Sequence, residues 1–487
     1  MTVRTALALW AGLLVSACTA VGPDYAGPPA TTADATAAFP STAPAGAAVS
    51  TAAPPEAWWR ELRDARLDEL VEAALAANYD LRIAVANVEA ARAALDEVST
   101  RRRPRVNATA SVLENRNAAA LIPQLDPNEA QPTLSSGTFG LDLSWELDLF
   151  GGIRRSVEAA NAEIGSQEAL RNGVVTSVLG RVASGYVDLR GAQARLDVAR
   201  RNVSVQRQTL ELVTLLNAEG AATELDVARA RTQLLTSQAT IPTLEAQATG
   251  ALNRLSTLTA RAPGAWSAQL AAHAPLPALP TFVAVGTPAD LVRRRPDVMA
   301  AERGLAAAAA RIGIATADLF PTVSFGARVG VGATPLSGLA AAGAPFFALG
   351  PSLTWNLFDR EAIYARIRQQ DSAAAAAMAR YEAAVTTALE EVDSTLSAWL
   401  NERDRRAQLA AARDASLNAH RLAQLRYREG VEDFLTVLDA ERSLLSIEDQ
   451  LALSDINLSQ QLIAIYLALG GGWEQAAAPA PAAYAPR

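Results

Sequence analysis

Residues 211–235 read ELVTLLNAEGAATELDVARARTQLL, and residues 421–445 read RLAQLRYREGVEDFLTVLDAERSLL. The two stretches align without a gap, and the Glu-Gly pair at 219–220 matches the Glu-Gly pair at 429–430. The same offset of 210 residues matches further residues: Gly140 with Gly350, Trp145 with Trp355, Thr176 with Thr386 and Val182 with Val392. The sequence therefore contains a duplicated unit.

The bounds of the two repeats follow from a second matching stretch. NYDLRIAVANVEAARA from Asn78 parallels RPDVMAAERGLAAAAAR from Arg295, now at an offset of 217 residues. The length difference lies in the segment from about 104 to 140 and its counterpart. We predict repeat 1 over 56–262, an inter-repeat linker over 263–287 and repeat 2 over 288–473.

Most of each repeat has the apolar spacing of a helix. From about Ile153 to Asn217, and from about Arg360 to Arg428, the period is continuous and no proline interrupts it. Each helix would be on the order of 100 Å long, which exceeds a compact domain. We expect coiled-coil packing of these helices, and returning helices over about 225–260 and 435–469. Gly220 and Gly430 would end the first pair of helices, with Thr223 and Asp433 as N-caps of the second.

Each repeat also has two segments with strand alternation, which predict β-hairpins over about 104–150 and 320–358. In the clearest strand, alternate residues from Phe139 to Leu149 are apolar, whereas Asp142, Glu146 and Asp148 lie on the other face. The segments have about ten residues each, the length of a tilted membrane strand. Hairpins in a soluble α+β domain are the alternative. Four strands cannot close a barrel in lipid, so the membrane interpretation requires an oligomer.

The N-terminus has the layout of a signal peptide over residues 1–17. Arg4 precedes an apolar run over 6–15, and small residues lead to Cys18, the only cysteine in the chain. VSAC at this point predicts cleavage before Cys18 and lipidation of its thiol, followed by a Pro/Ala/Thr-rich linker over 18–55. An ordinary exported protein with a chance cysteine is the alternative. The Ala/Pro-rich segment 474–487 predicts a disordered tail.

Composition excludes several classes of function. The net charge of −8 gives no basic face for nucleic acid. The two histidines, His273 and His420, lie in unrelated segments. The sequence therefore has too few histidines to favour a histidine metal site or a Ser-His-Asp triad. GVGATPLSG at Gly330 lacks the third glycine and the following helix of a dinucleotide loop. The sequence predicts no enzyme and no cofactor.

The chain resembles the TolC-like outer-membrane factors, specifically the NodT-type lipoproteins of resistance-nodulation-division tripartite efflux systems. The segments that carry this resemblance run from about residue 18 to 473, and they include CTAVGPDY, NYDLRIAVANVEAARA, SWELDLFGGIRRSVEAA, DLVRRRPDV, LFPTVS, LTWNLFD, RYREGVEDFLTVLDAERSLL and ALGGGW. RRRPDV together with the final glycine-tryptophan motif is highly specific.

The resemblance implies a mainly α fold with a membrane β-barrel. Three chains would form a homotrimer in which a twelve-stranded β-barrel continues into a long α-helical barrel. The implied location is the bacterial outer membrane, with a lipid anchor and a periplasmic helical domain. The implied partners are a periplasmic adaptor (membrane fusion) protein, an inner-membrane resistance-nodulation-division pump and outer-membrane lipid.

The implied function is a passive exit duct for small molecules, gated at its periplasmic end. Arg426 and Tyr427 match the family's gate-linking pair, and Asp439 matches the acid that narrows the aperture. Three copies of Asp439 would form an acidic ring with affinity for cations. A solvated helix charge is the alternative for Asp439, and Thr223-x-x-Asp226 reads as a capping box rather than a gate.

Two other functions remain open on the sequence. A periplasmic coiled-coil adaptor lipoprotein would share the long helices, but it has no need of lipid-length strands with an acidic inner face. An outer-membrane channel for protein secretion would share the architecture and differ in its partners. The acidic loop at Glu429, Glu432 and Asp433 departs from the family pattern and predicts altered adaptor specificity.

Overall fold

The computed structural model describes residues 19–28, 30, 33, 38–42, 48–116, 133–339 and 344–475. Cys18, the predicted signal peptide and most of the predicted tail lie outside these residues. The described residues form two compact units, each of which takes residues from both repeats. Unit 1 comprises described residues within 1–28, 89–166 and 301–381, and unit 2 comprises those within 29–88, 167–300 and 382–487.

The helices follow the predicted pattern closely. They are α1 (Ala65–Ala77), α2 (Tyr79–Thr100), α3 (Gly152–Ala218), α4 (Glu224–Leu258), α5 (Ser267–Leu270), α6 (Pro288–Arg294), α7 (Pro296–Ala317), α8 (Arg360–Arg428) and α9 (Phe434–Ala468). The two long helices, α3 and α8, have 67 and 69 residues. No helix in the described part of the chain is long and apolar enough to cross a membrane.

The first helical segment of each repeat is broken at the same place. Asn78 separates α1 from α2: its side-chain oxygen accepts from the backbone N–H of Asp80 at 2.8 Å, and its amide nitrogen donates to the Leu258 carbonyl at 2.8 Å. At the matching position in repeat 2, Arg295 separates α6 from α7, which begins at Pro296. Proline suits the first position of a helix because its missing N–H is not needed there.

Six strands are present in the described residues. They are β1 (Val49–Ser50), β2 (Arg105–Arg116), β3 (Thr133–Leu147), β4 (Val283–Ala284), β5 (Thr322–Ala333) and β6 (Ala344–Thr354). In unit 2, β1 pairs in parallel with β4. In unit 1, the two predicted hairpins join in one antiparallel sheet with the order β2-β3-β5-β6.

The register of the sheet places apolar residues of neighbouring strands on one face. Leu141 on β3 lies between Ala108 on β2 and Val329 on β5, and Trp145 lies opposite Phe325. Large side chains on this face are exposed within one chain, including Phe347, which is 79% exposed. Such an extended apolar surface is typical of a face covered by lipid or protein.

The polar face differs from the prediction at two acids. Asp148 lies beyond the end of β3, and its carboxylate accepts from the backbone N–H groups of Ile153 and Arg154 at the start of α3, at 3.0 and 2.9 Å. Its assignment to an acidic strand face is therefore wrong. Asp142 is on the strand, but Arg328 pairs with it at 2.7 Å. This part of the face is consequently charge-balanced.

The duplication is visible in matched hydrogen bonds of unit 1. The Trp145 indole N–H donates to the Arg102 carbonyl at 3.1 Å, just after α2 ends. Its counterpart Trp355 donates to the Leu319 carbonyl at 3.0 Å, just after α7 ends. Each tryptophan therefore bonds to a carbonyl just beyond the end of the preceding helix.

In unit 2, the RRRPDV segment meets the C-terminal end of α9. Arg295 is buried, and its guanidinium donates to the Ala468 carbonyl at 2.8 Å, to Asp297 at 2.7 Å and lies 2.7 Å from Glu391. Burial alone would raise the pKa of Asp297, but the hydrogen bond and charge of Arg295 lower it. The Trp473 indole N–H donates to the Arg294 carbonyl at 3.2 Å. These contacts join the RRRPDV motif to the final glycine-tryptophan motif, which explains why the two motifs occur in the same sequence.

We expect Arg295→Met to lower the free energy of unfolding by about 2–4 kcal/mol, because it removes the partner of the Ala468 carbonyl and the cation beside Asp297. Thermal unfolding in detergent, followed by circular dichroism, measures this change. Arg293→Met makes the same substitution at an exposed site two residues away and is the control. Equal midpoints for the two variants would contradict the role assigned to Arg295.

Candidate functional site

Two helix turns at one end of unit 2 carry the residues that the sequence analysis assigns to a gate. After α3, Gly220 has a φ of +77°, and after α8, Gly430 has a φ of +70°. Both values lie in the left-handed region, where glycine has no steric penalty. The turns are closed by backbone hydrogen bonds from Ala221 to Leu216 at 2.8 Å and from Val431 to Arg426 at 3.0 Å.

The helices that follow the turns begin at the predicted caps. The Thr223 hydroxyl accepts from the Asp226 N–H, and the Asp226 carboxylate accepts from the Thr223 N–H at 3.1 Å. This reciprocal pair confirms the capping box and explains Asp226 without a gating role. Asp433 accepts from the Thr436 N–H at 3.0 Å, which lowers the pKa of Asp433.

A shared apolar cluster joins the four helices that meet at these turns. Its buried members come from all four helices: Val213 on α3, Ala230 on α4, Ala423 on α8, and Phe434, Val437 and Leu438 on α9. Because both turns contribute to one core, a displacement of one turn exposes apolar surface of the other. The cluster therefore sets how firmly this end of unit 2 is held.

Tyr427 packs against this cluster from the last turn of α8. Its ring centroid lies 5.6 Å from that of Phe434. Its hydroxyl is buried and, among the described residues, has no hydrogen-bond partner. Burial, and secondarily the charge of Asp226, raises the pKa of Tyr427. A buried hydroxyl without a partner lowers stability, so a rearrangement that gave it one would be favoured.

Arg426 and Asp439, the other two predicted gate residues, are both on the surface of the single chain. The Arg426 guanidinium lies 3.0 Å from the Glu432 carboxylate, with 56% and 31% of the two side chains exposed. An ion pair this exposed contributes little stability on its own. Asp439 is exposed on α9. Within the described residues, no hydrogen bond or ion pair joins Asp439 to the other two.

Three buried polar residues near the turns were missed by the sequence analysis. They are Gln206 on α3, His420 on α8 and Glu441 on α9, and each is at most 7% exposed. Burial lowers the pKa of His420 and raises the pKa of Glu441. The apolar spacing gave a signal for Glu441, because it continues the stripe formed by Phe434, Val437 and Leu438.

A pocket of about 480 Å³ opens beside the same turns. His420, Gln424 and Tyr427 line it from α8, Val205 and Thr209 from α3, and Phe434 and Val437 from α9. The His420 Nε2 atom and the Glu441 Oε1 atom have no hydrogen-bond partner among the described residues. The helix ends therefore combine an apolar cluster with several unsatisfied polar atoms, and these atoms lower the stability of the packing between the helices.

No group of three or more metal-ligating side chains is present in the described parts of the chain. The turns instead bring together a shared apolar cluster, capped helix starts and buried polar atoms without hydrogen-bond partners.

Comparison with known proteins agrees with this geometry. The family described as Outer membrane efflux protein matches residues 70–261 and 287–471. Outer membrane protein OprJ of Pseudomonas aeruginosa is 32% identical over 474 residues, covering 96% of each chain. Nodulation protein T of Rhizobium leguminosarum bv. trifolii is 29% identical over 472 residues, covering 96% of this chain and 97% of the relative.

A solved structure described as the outer-membrane channel OprN is also similar. It has a TM-score of 0.85 and 38% sequence identity, and the match covers 93% of this chain and 99% of that one. The chain belongs to the outer membrane efflux protein family. Its fold is that of the family's trimeric channels, with a long helical barrel and a β-barrel part, as the sequence predicted.

The family also determines the general function and location. The chain is an outer-membrane efflux channel, located in the outer membrane with its helical part in the periplasm. The family is a transport family rather than an enzyme family. Its members are outer-membrane components of efflux pumps, so the chain works with pump partners. The chain is therefore a channel and not the coiled-coil adaptor that the sequence left open as an alternative.

We expect Glu441→Gln to stabilise the helix turns at pH 7. Burial raises the pKa of Glu441, so its protonated form is favoured in the folded state and stability falls as pH rises above the ordinary value near 4. The glutamine side chain does not ionise, so the variant avoids this loss of stability. Hydrogen exchange of the backbone amides between 421 and 441 measures the local effect.

The advantage of Glu441→Gln over wild type should shrink as the pH is lowered toward about 4, where glutamate becomes protonated in both states. Glu429→Gln, at an exposed site in the turn, is the matched control and should exchange like wild type at every pH. Protection that does not differ between Glu441→Gln and wild type at pH 7 would show that the Glu441 charge does not weaken the turns.

Proposed function

We propose that this channel is a passive exit duct for small amphiphilic molecules, closed at its periplasmic end by the two helix turns. The observation that carries the proposal is the single apolar cluster shared by both turns, with the Tyr427 hydroxyl buried in it without a partner. Opening would move α8 and α9 relative to α3 and α4. Burial of the apolar cluster stabilises the closed arrangement against this movement. The unsatisfied polar atoms make that stabilisation smaller.

In this proposal Arg426 and Tyr427 are the gate-linking pair. The Arg426–Glu432 pair is exposed and lies within one turn, so its contacts are readily exchanged for contacts with another molecule. The Tyr427 hydroxyl gains a hydrogen bond by any rearrangement that brings an acceptor near it. Both features suit contacts that are made in one state of the gate and lost in the other.

Asp439 would line the aperture of the homotrimer. Its carboxylate is exposed on α9 and has no ion-pair partner among the described residues, as a pore-lining acid requires. Three such carboxylates around a threefold axis attract cations and repel anions. We propose that this ring narrows the closed pore and binds cations from the periplasm.

The proposed partners are a periplasmic adaptor protein and an inner-membrane pump of the resistance-nodulation-division type. In this proposal the pump supplies the energy for directional transport, and we infer no enzymatic activity and no cofactor in this chain. The similarity to Nodulation protein T over nearly the whole chain supports this branch of the family. Secretion of proteins is the less favoured alternative, because the family is named for efflux.

We further propose cleavage after residue 17 and lipidation of Cys18. Contacts of the following residues support an anchor held close to the sheet of unit 1. The Val21 N–H donates to the Phe150 carbonyl at 3.1 Å, and the buried Arg155 donates to the Val21 carbonyl at 3.0 Å and to Asp24 at 2.6 Å. The lipid would then lie next to the junction of β3 and α3.

The division of the chain into two repeats is part of the same proposal. Repeats over 56–262 and 288–473, with a linker over 263–287 and a tail over 474–487, are supported by the two separate matches of the family over 70–261 and 287–471. Each repeat would supply one hairpin and one pair of long helices to the assembly.

We expect the double variant Arg426→Ser and Tyr427→Phe to conduct several times more current than wild type, because the proposed gate-linking contacts of the Arg426 guanidinium and the Tyr427 hydroxyl with other chains of the trimer would be lost. Planar-bilayer recording of the purified protein measures this. Arg421→Ser is the control, since among the described residues Arg421 bonds only to Asn418 of its own helix, at 3.0 Å. A double variant whose conductance equals that of wild type would remove the gate assignment while leaving the channel.

A further inference from the structure

Phe346 is an aromatic residue on the polar face of the sheet in unit 1. Along β6, Pro345, Phe347 and Leu349 pair with Val331, Val329 and Ala327 on the apolar face. Phe346 pairs with Gly330 and therefore lies on the opposite face, with Asp142 and Arg328. In the channel the apolar face meets lipid, so the face that carries Phe346 meets the lumen.

The Phe346 ring lies across a hollow made by two glycines. The row of residues that crosses the sheet at this level is Thr109, Gly140, Gly330 and Phe346. A Cβ atom added at Gly330 would lie 2.8 Å from the Phe346 Cζ atom, and one added at Gly140 would lie 3.6 Å from it. The ring is thus held against the backbone of two neighbouring strands.

The neighbouring row supplies charges that are already balanced. Asp142 accepts from the Thr109 hydroxyl at 2.8 Å and pairs with Arg328 at 2.7 Å. The Arg328 guanidinium carbon lies 5.9 Å from the centroid of the Phe346 ring, within the range of a cation–π contact. Because both charges are paired, this level of the wall does not select solutes by their net charge. What distinguishes it is the aromatic face.

We propose that Phe346 forms a stacking subsite for planar aromatic solutes in the lumen wall of the barrel. A flat ring in a polar wall offers passing aromatic molecules a contact that polar side chains do not, and an offset-stacked pair is favourable beyond the burial of its area. The two glycines leave room for the ring to lie close to the backbone of the wall. The proposal rests on the exit-duct function, since it concerns molecules in transit.

The test is block of single-channel current by a planar aromatic cation, 9-aminoacridine, added to the side that faces the barrel. Tetraethylammonium carries the same charge without an aromatic ring and is the comparison solute. Phe346→Leu keeps an apolar cover over the glycines but removes the ring. Phe347→Leu makes the same change at the adjacent residue on the lipid face and is the matched control.

We expect Phe346→Leu to weaken the apparent affinity for 9-aminoacridine by about threefold to tenfold, the loss of one aromatic contact. The current through Phe347→Leu should be blocked by 9-aminoacridine with the same apparent affinity as the current through wild type. The apparent affinity for tetraethylammonium should be the same in all variants. Phe346→Tyr retains the ring and should retain the affinity, which separates loss of stacking from damage to the barrel.

Equal block of wild type and Phe346→Leu by 9-aminoacridine would overturn the subsite while leaving the channel intact. A loss of affinity shared by Phe346→Leu and Phe346→Tyr would also overturn it, because the ring would then not be the cause. If no protein passed current, including the double variant Arg426→Ser and Tyr427→Phe, the exit-duct function itself would fail, and the subsite with it.

Discussion

The hydrogen-bonding groups of a backbone in lipid must all be paired, and the rest of this structure depends on that constraint. The sheet of unit 1 has the order β2-β3-β5-β6, so among the described residues of one chain β2 and β6 each have one edge without a partner strand. Each unpaired group in a membrane costs several kcal/mol. Four strands are also too few to close a barrel alone, whereas three chains supply enough to close one. The sheet therefore needs the trimer in order to pair all of its strand edges in the membrane.

The duplication pairs strand edges within one chain, because it places the hairpin of one repeat beside the hairpin of the other. Each repeat brings one hairpin and two helices that meet at a glycine turn, and the second copy places an equivalent set beside the first. Matched contacts, such as those of Trp145 and Trp355 with the ends of preceding helices, are repeated in both halves. The halves differ where function is proposed: the helix after the first turn begins with the Thr223–Asp226 capping box, whereas the second turn carries Arg426, Tyr427 and an acidic loop.

Local patterns predicted most of the fold because helices, strands and caps depend on nearby residues. The long helices, the glycine turns, the capping box and the four main strands all follow from spacing along the chain. Contacts between distant residues could not be predicted in this way. The burial of His420, the pairing of Asp142 with Arg328, the capping role of Asp148 and the position of Phe346 over two glycines depend on how separate elements meet in three dimensions. For the gate residues, the sequence predicted which side chains to consider, and their contacts with other chains depend on the assembled trimer.

Closure of the sheet between chains is the central claim, and electron cryomicroscopy of the purified protein in lipid nanodiscs tests it most directly. Three chains should surround one pore, with β6 of each chain hydrogen-bonded to β2 of the next, so that no strand edge faces lipid. A monomer in the membrane, or an assembly in which the β2 and β6 edges remain unpaired, would contradict the account.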